Sequence, residues 1–437
     1  MKCYLTGLMA ALLGASAQAA PGVADYERLA GELEQHLREQ VLQRWFPRCV
    51  DREHGGFYAG FREDWTRVAE NPKTIVYQAR QTWVCAQVAQ RQPERAEAFR
   101  GYAQHGLTFL DETLWDKEGG GFFWGLDACG KVSPGFGTEK HIYGISFGLY
   151  AAAGCAVALR DARALDLAQR TFRWMERHAH DAKNGGYFES FDRAGRPLLA
   201  PDGARKTGAV GARLGYKSMN SHIHLLESVT ALQQAWPDPL VRERLEELLG
   251  LVRDRIAVEP GCLNLFFTPD WRAVPDHDSF GHDVETAFLL IEAAEALGRP
   301  RDEKTLRVAR SLVDHALELG WDRKHGGFYD KGAAFAPAHG LEKIWWTQAE
   351  GLNALLLMHE LYGRETERYW GAFLQQWAFI QKFQTDHVHG EWFNTVSEDG
   401  RAKPGQHKGS VWKAAYHNGR ALLLTAERLR RLAREAR

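Results

Sequence analysis

The stretch HGGFY at His54–Tyr58 recurs unchanged at His325–Tyr329. Related glycine–aromatic stretches stand between and after them, in the order EGGGFFW (118–124), NGGYF (184–188), GCLNLFF (261–267) and HGEWF (389–393). The aromatic centres of these six stretches lie roughly 62–79 residues apart. Glycine supplies positive φ at a tight turn, and the aromatic residue after it favours a short extended segment. This regular spacing indicates one supersecondary unit repeated six times.

Each interval between these turns holds two helical patterns. One set is amphipathic and comprises segments 25–45, 94–115, 161–180, 238–257, 301–320 and 364–384. The other set is apolar on nearly every side and comprises segments 73–91, 141–159, 217–236, 281–297, 341–362 and 411–430. A helix with one polar face lies at the surface, whereas a helix that is apolar all round is buried. Alternating outer and inner helices predict an all-α fold, an (α/α)6 barrel of six helical hairpins with short β-hairpin-like Gly/aromatic loops.

The N-terminal segment predicts export from the cytoplasm. MKCYLTGLMAALLGASAQAAPG has one lysine, a short apolar run and then small residues that match an A-x-A cleavage site at Ala17–Ala19. The apolar run is too short to span a bilayer, and we expect no later segment to reach transmembrane length. We therefore expect residues 1–19 to be a secretory signal peptide and residues 20–437 to form one barrel domain. The mature protein is then periplasmic or secreted, with no membrane association.

Composition narrows the possible partners. The 437 residues carry a formal net charge of −1, so no excess of positive charge favours nucleic acid or an anionic membrane. The 15 tryptophans are compatible with an aromatic helical core and with stacking platforms for sugars. We expect the protein to be a monomer or a homodimer.

Unusual polar and aromatic residues lie near the beginnings of the inner segments. These residues are Arg80, Tyr143, Asn220, His224, His282, Glu285, Trp346, Glu350, Trp412, Tyr416 and His417. The inner helices of an α/α barrel all begin at the same end, so these side chains should converge on one funnel. Convergent polar groups in a concave, partly aromatic pocket predict a functional site.

Spacing along two of these helices predicts which side chains share a face. Asn220 and His224 are four residues apart and face the same way, whereas His222 faces elsewhere and is expected to be a hydrogen-bonded structural residue. His282 and Glu285 are three residues apart. We therefore expect the carboxylate to hold one imidazole nitrogen and to raise the pKa of His282.

Several chemistries are open to this set of residues. A transition metal could bind to His224, His282, His417 and Glu285, because a histidine and a glutamate three residues apart on a helix (H-x-x-E) can both ligate one ion. Glu285 and Glu350 could be the paired carboxylates of a glycoside hydrolase, although each is better explained as the partner of a neighbour. A binding protein without catalysis is disfavoured by the intact histidines. Proton abstraction beside the carbonyl of an open-chain sugar fits best, because the other funnel residues suit a neutral polyhydroxy ligand.

Four motifs together resemble the N-acylglucosamine 2-epimerase superfamily, and within it the cellobiose 2-epimerases. The motifs are KSMNSHIHLLE (217–227), SFGHDVETAFLL (279–290), WWTQAEGLNALL (345–356) and WKAAYHNGRALL (412–423). The resemblance covers almost the whole mature chain. It implies an (α/α)6 barrel without an obligatory metal, nucleotide or other cofactor. It also implies inversion at C2 of a reducing-end sugar through a cis-enediol intermediate.

The resemblance also implies roles for individual residues. His282 and His417 would form the acid/base pair at C2, and His224 would assist ring opening or polarise the carbonyl. Trp412 would stack on the second sugar of a disaccharide. The other expected substrate-binding residues are Arg80, Tyr143, Asn220, Glu285, Trp346 and Glu350.

The expected partner is a small-molecule sugar. The leading substrate is the reducing-end glucose of a disaccharide such as cellobiose, which would become glucosyl-mannose. Isomerisation of mannose to fructose and epimerisation of an N-acylated glucosamine are alternatives within the same superfamily, and a glycoside hydrolase is a more distant one. The longest irregular insert, Gly195–Tyr216, is a candidate flap beside the site.

Overall fold

The computed structural model of the protein describes residues 21–200 and 206–437, so the predicted signal peptide lies outside the described residues. Twelve long helices form most of this part of the chain. Their bounds are α1 Val23–His36, α2 Ile75–Arg91, α3 Ala96–Phe109, α4 Ile142–Leu159, α5 Ala162–His178, α6 Met219–Ala235, α7 Pro239–Leu251, α8 Phe280–Ala296, α9 Glu303–Leu319, α10 Trp345–Tyr362, α11 Arg368–Phe379 and α12 His417–Glu435.

The helices form two concentric rings. The even-numbered helices pack side by side as an inner ring, and each of α3, α5, α7, α9 and α11 packs outside the inner helix that precedes it in the chain. Helix α1 has no preceding inner helix and packs instead against α12, the last helix of the chain. This contact completes the outer ring, and the arrangement confirms the predicted (α/α)6 barrel.

Helix α4 illustrates why the inner helices are apolar on all sides. It packs against inner neighbours on both flanks and against α5 outside, so its whole circumference meets protein. The expectation that no later segment reaches transmembrane length is wrong for α4, which is long and apolar enough to span a membrane by length and composition. Inside the barrel, however, 78% of this helix is buried.

Helix ends depart from the predicted segments in two ways. Four outer helices continue as a π-helical turn, at Leu37–Leu42, Leu110–Leu114, Val252–Ile256 and Ile380–Gln384, and a 3₁₀ turn at Pro93–Arg95 leads into α3. The short helix Gln43–Trp45 follows the first π turn. The last two inner segments begin later than predicted. In particular, Trp412 lies in the loop before α12, not on the helix.

Short strands join neighbouring repeats at the end of the barrel where the inner helices begin. The strand before an inner helix pairs antiparallel with a strand that follows the glycine–aromatic turn of the next repeat, as in β1–β2, β3–β4, β5–β8 and β12–β13. The strands are β1 Lys73–Thr74, β2 Gly125–Leu126, β3 Lys140–His141, β4 Ser190–Phe191, β5 Lys217–Ser218, β6 Ala257–Val258, β7 Cys262–Leu263, β8 Phe266–Phe267, β9 Ala273–Val274, β10 Lys331–Ala333, β11 Ala336–Gly340, β12 Lys343–Ile344 and β13 Thr395–Val396.

The glycine–aromatic turns close on themselves, as the sequence predicts. In the first HGGFY stretch both glycines have positive φ, 77° at Gly55 and 67° at Gly56. Phe57 then forms an antiparallel bridge with Val50. Gly56 has no space for a side chain, because a Cβ atom there would lie 2.6 Å from the amide oxygen of Gln78. Only glycine therefore fits this position of the turn.

A buried lysine–aspartate pair fixes five of the six turns. The pairs are Lys73–Asp51, Lys140–Asp116, Lys217–Asp181, Lys343–Asp322 and Lys408–Asp386. In the fourth pair Lys343 Nζ lies 2.6 Å from Asp322 Oδ2 and also donates to the carbonyl of Gly326. Asp322 Oδ1 accepts the backbone N–H groups of Lys324 and His325. These hydrogen bonds offset the free-energy cost of removing the charged groups of a buried ion pair from water.

Removing one member of such a pair should be costly. Lys343→Met leaves Asp322 buried without a cation, and we expect the free energy of unfolding, measured by urea denaturation, to fall by about 3–5 kcal/mol. The control is Lys403→Met, which breaks an ion pair with Glu342 whose side chains are 66% and 51% exposed, and should cost about 0–1 kcal/mol. Equal losses in the two variants would contradict a special role for the buried pairs.

Candidate active site

A cavity of about 450 Å³ opens at the end of the barrel where the inner helices begin. Nine of the ten predicted site residues line this cavity, and Glu350 is the exception. The lining residues are Arg80, Tyr143, Ala209, Val210, Asn220, His224, His282, Glu285, Trp345, Trp346, Asn394, Ser410, Trp412 and His417. A larger cavity of about 650 Å³ lies near the C-terminal end of α2, but its lining contains no histidine. The predicted convergence of polar side chains therefore occurs at the first cavity.

His282 lies in the first turn of α8. Its Nδ1 atom is 2.7 Å from Ser279 Oγ, and its ring packs 4.8 Å from the ring of Trp346, centroid to centroid. The side chain is partly accessible from the cavity but deeply surrounded by protein. Burial, with smaller contributions from His224 and His277, lowers the pKa of His282 to about 3. The predicted increase in the pKa of His282 is therefore wrong.

Glu285 does not hold His282, contrary to the sequence prediction. Its Oε1 atom accepts a hydrogen bond of 2.7 Å from Arg420 Nη2. The hydroxyl of Ser279 hydrogen-bonds Nδ1 of His282 instead. Helical spacing places Glu285 and His282 on one face, but the guanidinium arrives from α12 and offers the stronger charge-assisted bond.

His417 is the first residue of α12. Its Nδ1 atom lies 2.5 Å from Glu350 Oε1, and the same oxygen accepts a bond of 2.8 Å from Arg420. Glu350 is fully buried behind the imidazole and does not line the cavity, so its geometry suits positioning of His417 better than the predicted direct contact with substrate. Burial lowers the pKa of His417 well below its usual value, and the positive charges of Arg80 and Arg420 act in the same direction.

His224 makes the contact with a glutamate three residues further along its helix that the sequence analysis expected of His282. Its Nδ1 atom is 2.9 Å from Oε2 of Glu227, three residues further along α6. Oε1 of Glu227 accepts hydrogen bonds from the hydroxyl of Tyr416 and from Arg420. Burial opposes ionisation of Glu227, but Arg420 and His224 outweigh it and lower the pKa of Glu227 to about 2.

Arg420 links the three glutamates and was missed by the sequence analysis. Its guanidinium is fully buried and contacts Glu227, Glu285 and Glu350. Two signals were visible: an arginine inside the apolar run of the last inner helix, and a glutamate three residues after His224. Trp345, the first residue of α10, was also missed. The loop residues Ala209, Val210, Asn394 and Ser410 were missed because helical periodicity does not locate loops.

The mouth of the cavity is aromatic. Trp412 is 40% exposed, and its ring lies 6.0 Å from that of Trp124, centroid to centroid. Arg80 Nη1 donates to the carbonyl of Trp412 at 2.9 Å, and Nη2 donates to the hydroxyl of Tyr143 at 3.2 Å. Burial raises the pKa of Tyr143 to about 12, so this hydroxyl is neutral. Asn220, which also lines the cavity, has a buried Oδ1 atom without a hydrogen-bond partner among the described residues.

Two other predictions have outcomes in this region. His222 is buried and structural, as predicted, because Nδ1 contacts the carbonyl of Ser218 and Nε2 accepts the N–H of Tyr187.

Ligand atoms of Glu285, Glu350 and His417 lie within 4.8 Å of one another, which is close enough for a metal ion. Arg420, however, already places a positive charge against both carboxylates, so a second cation is disfavoured there.

Comparison with known proteins identifies the family. The family model for N-acylglucosamine 2-epimerase (GlcNAc 2-epimerase) matches residues 55–421. The chain is 31% identical over 398 residues to the cellobiose 2-epimerase of Bacteroides fragilis, covering 90% of this chain and 97% of that protein. It is 25% identical over 400 residues to the D-mannose isomerase of Marinomonas mediterranea, covering 88% and 94%.

Similarity in three dimensions extends over the same range. The solved structure of the cellobiose 2-epimerase from Spirochaeta thermophila aligns with a TM-score of 0.83 at 32% sequence identity, covering 94% of this chain and 98% of that one. The region matched by the family model includes every residue that lines the cavity. The chain therefore belongs to the N-acylglucosamine 2-epimerase family and is a carbohydrate epimerase or isomerase.

Proposed function

We propose that this protein inverts C2 of the reducing-end glucose of a disaccharide such as cellobiose, giving glucosyl-mannose. One observation carries the proposal: three imidazoles on three inner helices border one cavity, and each is held through Nδ1, by Ser279, Glu227 or Glu350. The hydrogen bonds that hold these three rings all reach Nδ1, and the three side chains line the cavity. Each Nε2 is therefore left to exchange a proton with a bound sugar.

The reaction needs proton transfer on two faces of one planar intermediate. In the open-chain aldehyde, a base removes the proton from C2, the C–H electron pair forms the C1–C2 double bond, and the carbonyl π electrons move to O1, which takes up a proton to give the cis-enediol. A second group then delivers a proton to the opposite face of C2 while O1 loses its proton and the aldehyde re-forms, which inverts C2. His282 on α8 and His417 on α12 stand on different walls of the cavity, with Trp346 between them at 4.8 and 5.9 Å, ring centroid to ring centroid.

The surroundings of His417 support its use as a base near neutral pH. Burial and two guanidinium groups keep the imidazole neutral, because its pKa lies well below the usual value. Glu350 fixes Nδ1, so the ring is oriented before the substrate arrives. Arg80 and Tyr143 border the cavity as hydrogen-bond donors for the developing enediolate oxygen. His224, backed by Glu227, is suited to assist ring opening or to polarise the carbonyl.

Trp412 favours a disaccharide over a monosaccharide. Its exposed ring stands at the mouth of the cavity, beside Trp124, where a sugar attached to the reducing-end residue would lie. The similarity to cellobiose 2-epimerases over nearly the full chain supports the same substrate class. Isomerisation of mannose to fructose is the second candidate, because a D-mannose isomerase is also similar and the same enediol then takes its proton at C1.

Other expectations remain predictions. The glycoside hydrolase alternative is weakened, because Glu350 does not reach the cavity and both candidate carboxylates bind Arg420. A nucleotide or metal cofactor is not part of the proposed reaction. Export by residues 1–19, a single domain over residues 20–437 and a monomeric or homodimeric state likewise stay predictions. The candidate flap at 195–216 also stays a prediction, and its residues 201–205 lie outside the described residues.

The first prediction tests the two-base arrangement. His282→Asn and His417→Asn should each lower kcat by roughly 10²- to 10⁴-fold, as expected for a general acid or base. The double variant should lose much less than the product of the two factors, because both act in one sequence. In D₂O, wild-type protein given cellobiose should place deuterium at C2 of the product, read by NMR. Near-normal epimerisation by either single variant would remove that residue from the pair.

The second prediction concerns the mouth of the cavity. Trp412→Ala should raise KM for cellobiose roughly 5- to 150-fold and leave KM for mannose or glucose nearly unchanged, because only the disaccharide has a second ring to stack. Trp412→Phe keeps an aromatic surface and serves as the matched control, with most of the affinity retained. Equal effects on disaccharide and monosaccharide would place the second sugar elsewhere.

The third prediction follows from the neutral imidazole of His417. A base is lost as pH falls through its pKa, and this pKa is lowered, so kcat/KM should stay high as pH falls through 6.5 and decline only well below it. Arg80→Met removes one cause of the lowered pKa and should shift the acid limb toward neutral pH. A wild-type limb centred at or above pH 6.5 would rule out His417 as the base.

A further inference from the structure

The fourth repeat lacks the lysine–aspartate pair that fixes the turn in the other five. Lys217 and Lys343 each stand two residues before an inner helix, and the corresponding position before α8 is Asp278. On the opposite side of the turn, Val258 of β6 stands where the other repeats have aspartate. A carboxylate has thus replaced the ammonium group, and an apolar side chain has replaced its counter-ion.

Asp278 instead meets two other ionisable side chains from neighbouring helices. His315 of α9 has its Nδ1 atom 3.5 Å from Asp278 Oδ2 and 3.9 Å from Asp283 Oδ2 of α8. The three side chains are buried, with exposed fractions of 3% for Asp278, 0% for Asp283 and 6% for His315. One ligand atom from each lies within 4.8 Å of the other two. We call these three residues the Asp278 cluster.

With both carboxylates ionised, the Asp278 cluster presents only hydrogen-bond acceptors to its centre. Nε2 of His315 is 2.8 Å from the carbonyl of Ala334, which can only accept, so the ring proton is on Nε2 and the Nδ1 lone pair faces the carboxylates. Neither oxygen of Asp278, neither oxygen of Asp283, nor Nδ1 of His315 has a hydrogen-bond partner within the described part of the chain.

Such a set of buried acceptors is unfavourable without a positive charge or a proton among them. The centre of the cluster is therefore suited to hold a cation.

We propose that the Asp278 cluster binds one divalent transition-metal ion, of the Zn²⁺ or Mn²⁺ class. One imidazole nitrogen and two carboxylates form a ligand set that these ions prefer over Ca²⁺, which favours oxygen ligands alone. The ion supplies the positive charge that lysine supplies in the other repeats. It joins the start of α8 to α9 and, through the carbonyl of Ala334, to the hairpin of β10 and β11. The site is structural and separate from the sugar cavity, which none of its three residues lines.

The test uses the mature protein after dialysis against a chelator, followed by removal of the chelator. Titration with ZnCl₂ in a calorimeter, with bound metal counted by mass spectrometry, should give about one Zn²⁺ per chain and a higher thermal midpoint. His315→Gln and Asp283→Asn should each weaken this binding at least about 10-fold. His417→Gln is the control that removes an imidazole of the sugar cavity, and it should bind Zn²⁺ like the wild type.

A second variant protects the test against misfolding. Asp278→Lys restores the ammonium group of the other repeats, and should fold, by circular dichroism, while losing both Zn²⁺ binding and the rise in thermal midpoint. The proposal is overturned if the dialysed wild type binds no Zn²⁺ or Mn²⁺, which would leave shared protons as the occupant of the cluster. It is equally overturned if binding survives in His315→Gln and disappears in His417→Gln.

Discussion

The candidate site depends on one buried guanidinium. Arg420 contacts three glutamates, and two of them, Glu227 and Glu350, each hold Nδ1 of a cavity histidine. Without a cation among them, three carboxylates in the interior of a barrel would repel one another and take up protons. With Arg420 present, the pKa of Glu227 falls to about 2, so this carboxylate is available as an acceptor for His224. One residue thereby orients imidazoles on two different helices.

The barrel explains why such a cluster can be built from distant parts of the sequence. Inner helices that begin at one end deliver their first turns to a common centre, while the short antiparallel strands hold neighbouring repeats in register. The repeated lysine–aspartate pairs fix the glycine turns around that rim with buried charge rather than with apolar packing. The site residues can therefore vary from helix to helix while the rim that positions them stays the same.

The sequence predicted the fold because its signals are local. Glycine–aromatic turns and the contrast between amphipathic and wholly apolar helices depend on neighbours within a few residues, so six repeats and two rings could be inferred. Eight of the ten chosen residues line the cavity from inner helices for the same reason, since a helix start is a local property. The pairing of His282 could not be inferred, because Arg420 approaches Glu285 from another helix. Similarly, Trp412 lies in a loop whose path has no periodic signal.

The contact between α1 and α12 has a consequence for how the chain acquires its activity. The first helix has no outer-ring position until the last one exists, and their separation in sequence is nearly the full length of the chain. Contacts between such distant segments form slowly, because a long loop must close before they are gained. Since α12 also carries His417 and Arg420, a chain that ends before α12 lacks both residues and one of the six inner helices. Closure of the outer ring and completion of the candidate site therefore depend on the same final helix.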